Sequence, residues 1–222
     1  MGRGLFVTAT GTDMGKTYVA ALMVKKLKDA GYKAGYYKAA LSGAESIKES
    51  DAGYVKKISG IGQPDETLLS YLYETAASPH LAAKIEGNPV ELEKIRADYQ
   101  KVLEKHDYVT VEGSGGIVCP IRWDSEQKLL LEDIVKALKL PAVIVANAGL
   151  GTINAVVLTV EYLKNRGIET KGVILNHYCG GVMQKDNVQM IESLTNLPVL
   201  SLVEKGDKEL NIDIEKLTSL YL

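Results

Sequence analysis

The stretch Leu5–Thr17, LFVTATGTDMGKT, limits what this chain can fold into more than any other: an apolar run enters a glycine-rich turn that opens into a helical pattern. A polyphosphate needs converging backbone N–H groups, a backbone free of Cβ bulk where it approaches, and positive charge. Gly11, Gly15, Lys16 and Thr17 offer all of these. Lys16 can neutralise β- and γ-phosphates, Thr17 can place its hydroxyl on Mg²⁺, and the helix dipole points at the same spot. The spacing departs from the common GxxxxGK(S/T) pattern, because Thr10 stands where the first glycine belongs.

Beyond the turn, short apolar runs alternate with longer segments of helical period. This order predicts an α/β, P-loop NTPase-like fold, with a mostly parallel sheet and helices on both faces. Strands are expected at Leu5–Thr8, Ala34–Tyr37, Tyr108–Glu112, Ala142–Ala146, Gly172–Asn176 and Val199–Leu202. Most are rich in Val, Ile or Leu with little alternation, as strands covered on both faces require. Helices are expected at Thr17–Ala30, Glu91–Lys105, Glu132–Leu138, Ile153–Asn165 and Asp186–Ser193, with Gly31 and Gly167 as C-terminal glycines. Between Leu41 and Pro89 the period fades, so a long irregular and functional stretch is expected after the second strand.

The 222 residues suit a single domain, 1–222, and a formal charge of −2 gives no field for nucleic acid. No stretch has the length of a signal peptide's apolar core or a membrane span, so a cytoplasmic protein without membrane or nucleic-acid partners is expected. Cys119 and Cys179 lack metal-site spacing and are expected as small buried hydrophobes. His80 belongs to a Ser78-Pro79-His80 segment to which only a structural role is given, and His106 has no identifiable partner.

The turn and several later segments resemble those of the dethiobiotin synthetases. That family carries a TGTDTxVGKT-like turn, sharing the displaced glycine, an acid at the place of Asp13 and the GKT end. Tyr37-Lys38-Ala39-Ala40-Leu41-Ser42-Gly43 is similar to its YKPVxSG motif, with Ala39 in place of the proline. Ser50-Asp51-Ala52 matches its SDA, and Val111-Glu112-Gly113-Ser114-Gly115-Gly116 its VEGAGG. Leu150-Gly151-Thr152-Ile153-Asn154 resembles its LGxxN segment, and Asn176 falls where the family reads adenine.

The resemblance implies Lys38 and Lys16 as catalytic residues and Thr17, Asp51 and Glu112 as Mg²⁺ ligands. It implies an ATP site of Gly11, Thr12, Asp13, Met14, Gly15, Lys16, Thr17, Tyr18, Asp51, Glu112, Gly113, Ser114, Gly115, Asn176, His177, Val203, Glu204 and Lys205. For the substrate it implies Thr12, Lys38, Ser42, Gly116, Leu150, Gly151 and Asn154, the last three serving the neighbouring subunit of a homodimer. Glu204 replaces a proline common in the family's adenine loop. The implied reaction is ATP- and Mg²⁺-dependent ring closure of 7,8-diaminopelargonic acid with CO₂, through a carbamate and a carbamic-phosphoric anhydride. A ParA/MinD-like ATPase would carry a further lysine early in the turn, and residues Thr10 to Met14 contain none.

Overall fold

The computed structural model describes residues 2–222; Met1, the first residue of the expected domain, lies outside them. The chain begins with β1 (Arg3–Ala9), α1 (Lys16–Asp29), β2 (Ala34–Ser42), α2 (Asp51–Ser59), β3 (Leu69–Tyr73), α3 (Pro79–Ile85) and α4 (Leu92–Lys105). It continues with β4 (Tyr108–Glu112), β5 (Pro120–Trp123), β6 (Lys128–Leu130), α5 (Leu131–Ala137), β7 (Ala142–Asn147) and α6 (Thr152–Asn165). β8 (Thr170–Asn176), α7 (Val182–Thr195), β9 (Val199–Val203) and α8 (Ile214–Ser219) complete it.

Seven strands form one parallel sheet in the order β3-β2-β4-β1-β7-β8-β9. β4 is buried along its whole length, β1 from Gly4 and β7 up to Ala146. The unbroken apolar runs are explained by that double cover. One core holds Phe6, Tyr37, Val109, Val111 and Ile144; the other packs Leu5, Val7, Val143 and Val145 against the α1 face of Val19 to Leu27. Each fully buried Val or Leu stabilises by about 1.5–3 kcal/mol, most of it offset by chain ordering. Gly31 and Gly167 follow their helices with φ of 91° and 71°, the left-handed backbone expected of helix-ending glycines.

The stretch expected to be irregular is instead built from short pieces. α2, β3 and α3 are all in it, with 3-10 turns at Ile47–Glu49 and Asp65–Thr67. Glycine, serine and proline between and within them interrupt the period. β3 changes the site directly, because it pairs with β2 from Lys38 to Ser42 and so extends β2 well past the expected end at Tyr37. Lys38 is thus inside a strand, not at its tip. The β5–β6 hairpin also escapes the periodic reading; the buried Arg122 side chain fastens it to Glu91 at 2.5 Å and braces its own turn through Asp124 at 2.6 Å and Glu126 at 2.8 Å. α7 starts at Val182, four residues before the expected Asp186. Among the described residues no helix is long and apolar enough to cross a membrane.

Candidate active site

β1 delivers the chain at Ala9 into the turn that starts α1. Asp13 and Gly15 adopt left-handed backbone there, with φ of 60° and 85°. A Cβ at Gly15 would stand 2.0 Å from Asn176 Nδ2, so conformation and space both demand glycine. α1 has no side-chain cap and no acid in its first turn. Its leading N–H groups are therefore free for an anion, with the dipole in support. Lys16 is buried and its Nζ lies back over the turn, 3.4 Å from the Gly11 carbonyl.

Strand register assembles the opposite wall. Lys38 of β2 and Val7 of β1 both stand beside Glu112 of β4, so Lys38 and Glu112 project from the same face of the sheet. Their side chains are only 5% and 0% exposed, and unpaired ions at that depth cost several kcal/mol each. They are paired: Lys38 Nζ is 2.9 Å from Glu112 Oε1 and 2.6 Å from Asp51 Oδ2. Thr17 Oγ1 donates to the same Glu112 Oε1 at 2.8 Å, and the Tyr36 hydroxyl donates to Oε2 at 2.8 Å. Ser50 Oγ caps α2 by accepting from the Gly53 N–H at 3.5 Å, which leaves Asp51, in the first turn, to face the cleft.

The two lysines differ in their electrostatics. Burial dominates at Lys16 and lowers its pKa from 10.5, with nearby Lys38 adding to the effect and Glu112 and Asp51 opposing it. At Lys38 burial also works against the charge, but Glu112 and Asp51 outweigh it and the net direction is upward. Burial works against the Asp51 carboxylate too, and the Lys38 charge and hydrogen bond more than reverse it, so its pKa falls below 3.8.

A cleft of about 780 Å³ joins the turn and this wall. It collects Thr12, Asp13, Gly15, Lys16, Thr17, Lys38, Ser42, Asp51, Glu112, Ser114, Gly115 and Gly116 from the expected site. Ser42 Oγ donates to the Ala77 carbonyl at 2.5 Å and Ser114 Oγ to the Ala40 carbonyl at 2.7 Å, which fixes both hydroxyls and leaves their lone pairs available. Gly113 is tied to Val7 behind the cleft, its N–H donating at 3.0 Å. Among the described residues no three of His, Cys, Asp and Glu gather as metal ligands. Two carboxylates and a hydroxyl nonetheless offer the hard oxygens of a partial Mg²⁺ shell, which phosphates and water normally complete.

The remaining expected residues lie elsewhere. Met14, Leu150 and Gly151 border a second cleft of about 520 Å³, with Asn154 on the adjoining first turn of α6. Asn176 is buried, its Nδ2 donating to the Met14 carbonyl at 3.1 Å; register sets it beside Val203. His177 is exposed, 3.3 Å from Asn147 Nδ2. The Val203 side chain faces the core while its carbonyl accepts from Tyr178; Glu204 and Lys205 are exposed. Tyr18 reaches the Asp207 carbonyl.

Sequence reasoning missed Tyr36, whose only signal is a position two residues before Lys38, and the apolar lining Leu41, Val118, Cys119 and Pro120. Cys119 is buried as expected, and burial pushes its thiol up to about 11. Cys179 is exposed, contrary to expectation, because it follows β8 in a loop before α7. His106, which had no identifiable partner, sets its Nδ1 2.7 Å from the Val102 carbonyl at the end of α4. Ser78-Pro79-His80 starts α3, with Pro79 at its first position and Ser78 Oγ 3.0 Å from His80 Nδ1.

A family model described as an AAA domain matches residues 3–209. The ATP-dependent dethiobiotin synthetase BioD of Brachyspira hyodysenteriae is 48% identical over 222 residues, covering 100% of both chains. A protein of the same name from Clostridium botulinum is 46% identical over 227 residues, covering 100% of this chain and 99% of its own. Among solved structures, the MinC:MinD cell division protein complex of Aquifex aeolicus aligns with a TM-score of 0.59 at 16% identity, over 97% of this chain and 84% of that one. The septum site-determining protein MinD complexed with Mg-ADP from Pyrococcus horikoshii aligns at 0.57 and 16%, over 92% and 82%. At such identity the likeness is one of fold.

Proposed function

The chain belongs to the family of ATP-dependent dethiobiotin synthetases, and from that membership we infer that it is an ATP-using ligase of biotin biosynthesis. It carboxylates and ring-closes 7,8-diaminopelargonic acid with CO₂, giving dethiobiotin, ADP and phosphate. The observation that carries this reading at the site is the convergence of Lys38, Asp51, Glu112 and Thr17 beside the phosphate turn.

In the proposed reaction one amine adds to CO₂ and loses a proton to become a carbamate. A carbamate oxygen attacks the γ-phosphorus and ADP leaves. The second amine then attacks the carbonyl of the carbamic-phosphoric anhydride, phosphate departs, and the five-membered ureido ring closes. No covalent enzyme intermediate is needed, so the protein's task is positioning and neutralising charge.

Lys16 lies against the turn to meet the β- and γ-phosphates. Lys38 uses two of its three N–H donors on Asp51 and Glu112, and the third is left for a carbamate or phosphate oxygen. Gly11 to Tyr18, Gly113, Ser114 and Gly115 are assigned to the nucleotide's phosphates, while Ser42, Thr12 and Gly116 are assigned to the diamine. Asn176, His177 and Val203 to Lys205 are assigned to the base end. Thr17, Asp51 and Glu112 are the residues that would hold Mg²⁺, whose chemistry is fixed positive charge against the phosphate oxygens.

Leu150, Gly151 and Asn154 stand outside the 780 Å³ cleft. This favours a homodimer in which they receive the carboxylate tail of the substrate bound by the partner copy. We further assign residues 1–222 to one ATP-binding synthetase domain acting in the cytoplasm. Incubating the protein with ATP, Mg²⁺, bicarbonate and diaminopelargonate is expected to yield dethiobiotin by mass spectrometry. No product under conditions where a known synthetase works would overturn the reading.

A further inference from the structure

We propose that Tyr36 is a positioning residue of this site: its hydroxyl holds one oxygen of Glu112 so that the other stays aimed at Thr17 and Lys38. The proposal rests on the reading of Glu112 as a Mg²⁺ and phosphate-side carboxylate.

Tyr36 and Lys38 are two apart on β2 and so share a face of the sheet. Register places Tyr36 beside Thr110 and Lys38 beside Glu112. A tyrosine at position 36 must therefore lean forward by one strand repeat, roughly 6.6 Å, to touch Glu112. Its ring has the length for this, and the hydroxyl arrives 2.8 Å from Oε2. Glu112 Oε1 is then the oxygen that accepts from both Thr17 at 2.8 Å and Lys38 at 2.9 Å. Rotation of the carboxylate would break all three contacts.

The Tyr36 backbone is pinned by a device of its own. β3 starts opposite Lys38, so nothing in the sheet faces Tyr36 on that edge. The buried Gln63 side chain takes the place of a strand there: its Oε1 accepts from the Tyr36 N–H at 2.9 Å and its Nε2 donates to the Tyr36 carbonyl at 2.9 Å. Gln63 Nε2 also reaches the Thr67 carbonyl at 3.2 Å, tying the arrangement to the turn before β3. The Tyr36 side chain has no exposure to solvent, and burial together with the Glu112 charge raises its pKa well above 10.0. Facing a carboxylate, which can only accept, the phenol is the donor of this bond.

The test titrates Mn²⁺, an EPR-visible probe, into protein saturated with ADP. Tyr36→Phe removes only the hydroxyl, and its Mn²⁺ affinity is expected to fall roughly 10- to 100-fold, the scale for losing a partner of a metal-binding carboxylate. ADP affinity without metal should be unchanged. In a Glu112→Gln background the same substitution should have no further effect. Unchanged Mn²⁺ affinity in Tyr36→Phe, or an equal loss in the Glu112→Gln background, would overturn the assignment. Gln63→Leu, which keeps the hydroxyl but frees its backbone, gives a second measure: weaker Mn²⁺ binding is expected, and full affinity counts against the proposal. Wild-type protein that forms dethiobiotin while Tyr36→Phe binds Mn²⁺ normally sinks this inference alone. Protein that forms none, yet loses Mn²⁺ on the substitution, sinks the synthetase reading alone.

Discussion

At the floor of the cleft both oxygens of Glu112 are engaged, by Tyr36 on one side and by Thr17 and Lys38 on the other. At the end of β9 the side chains of Glu204 and Lys205 lie exposed, and what is tied down is backbone: the Val203 carbonyl by Tyr178 and the Glu204 N–H by Asp207 at 2.8 Å. Charge that must be neutralised during a reaction needs donors fixed beforehand in a dry setting. Reading a base can be left to loop backbone on a rigid sheet. The two ends of the proposed nucleotide site are thus expected to tolerate substitution very differently.

The largest effect is expected from Glu112→Leu. It leaves the buried Lys38 with only the half-exposed Asp51 and strips Tyr36 and Thr17 of their acceptor, and breaking a buried pair costs up to about 3–5 kcal/mol of stability. Urea denaturation measures this, and a loss under about 1 kcal/mol would erase the contrast between the regions. Next comes Lys16→Ala, expected to lower kcat by roughly 10²- to 10³-fold, the effect of removing one preorganised donor. A steady-state ADP-release assay checks it, and near-normal turnover removes Lys16 from the chemistry.

A third outcome separates the two lysines within the floor. Lys16 loses its proton below 10.5 and Lys38 above it, so activity is held at lower pH and lost as pH rises, with Lys16 titrating first. The alkaline limb of kcat/KM should have an apparent pKa below 10.5 and should move upward in Lys16→Arg, whose guanidinium stays charged. A limb that does not move assigns the titration to another group. The smallest effect belongs to the other region: Glu204→Ala is expected to change KM for ATP by less than about threefold, as for an exposed substitution away from buried contacts. A tenfold rise would make the loop a determinant of nucleotide choice.

Most of the sheet could be read in advance because β1, β4, β7, β8 and β9 are apolar runs separated by helices of two or more turns. Tyr108–Glu112 has the same limits in sequence and structure. β3 could not be read so, since it alternates buried and half-exposed residues and is set by β2 earlier in the chain, and β5 and β6 are only four and three residues long. In the site, the turn and Glu112 were legible: a local spacing marks one, and a carboxylate closing an apolar strand marks the other. Lys38 was recognised but placed at a strand end, because the β3 ladder that extends β2 leaves no periodic trace. Tyr36 reads in sequence as another core aromatic. Its partner is 76 residues away, a distance over which only the folded register carries information.

The contact between Gly15 and Asn176 bears on how this protein could be re-engineered. The amide nitrogen of Asn176 occupies the room that any side chain at position 15 would need, and it also holds the Met14 carbonyl. Positions 15 and 176 are therefore locked together, and varying either alone would spend a mutant library on variants with a damaged phosphate turn. Diversity at the exposed Glu204 and Lys205 leaves that turn untouched.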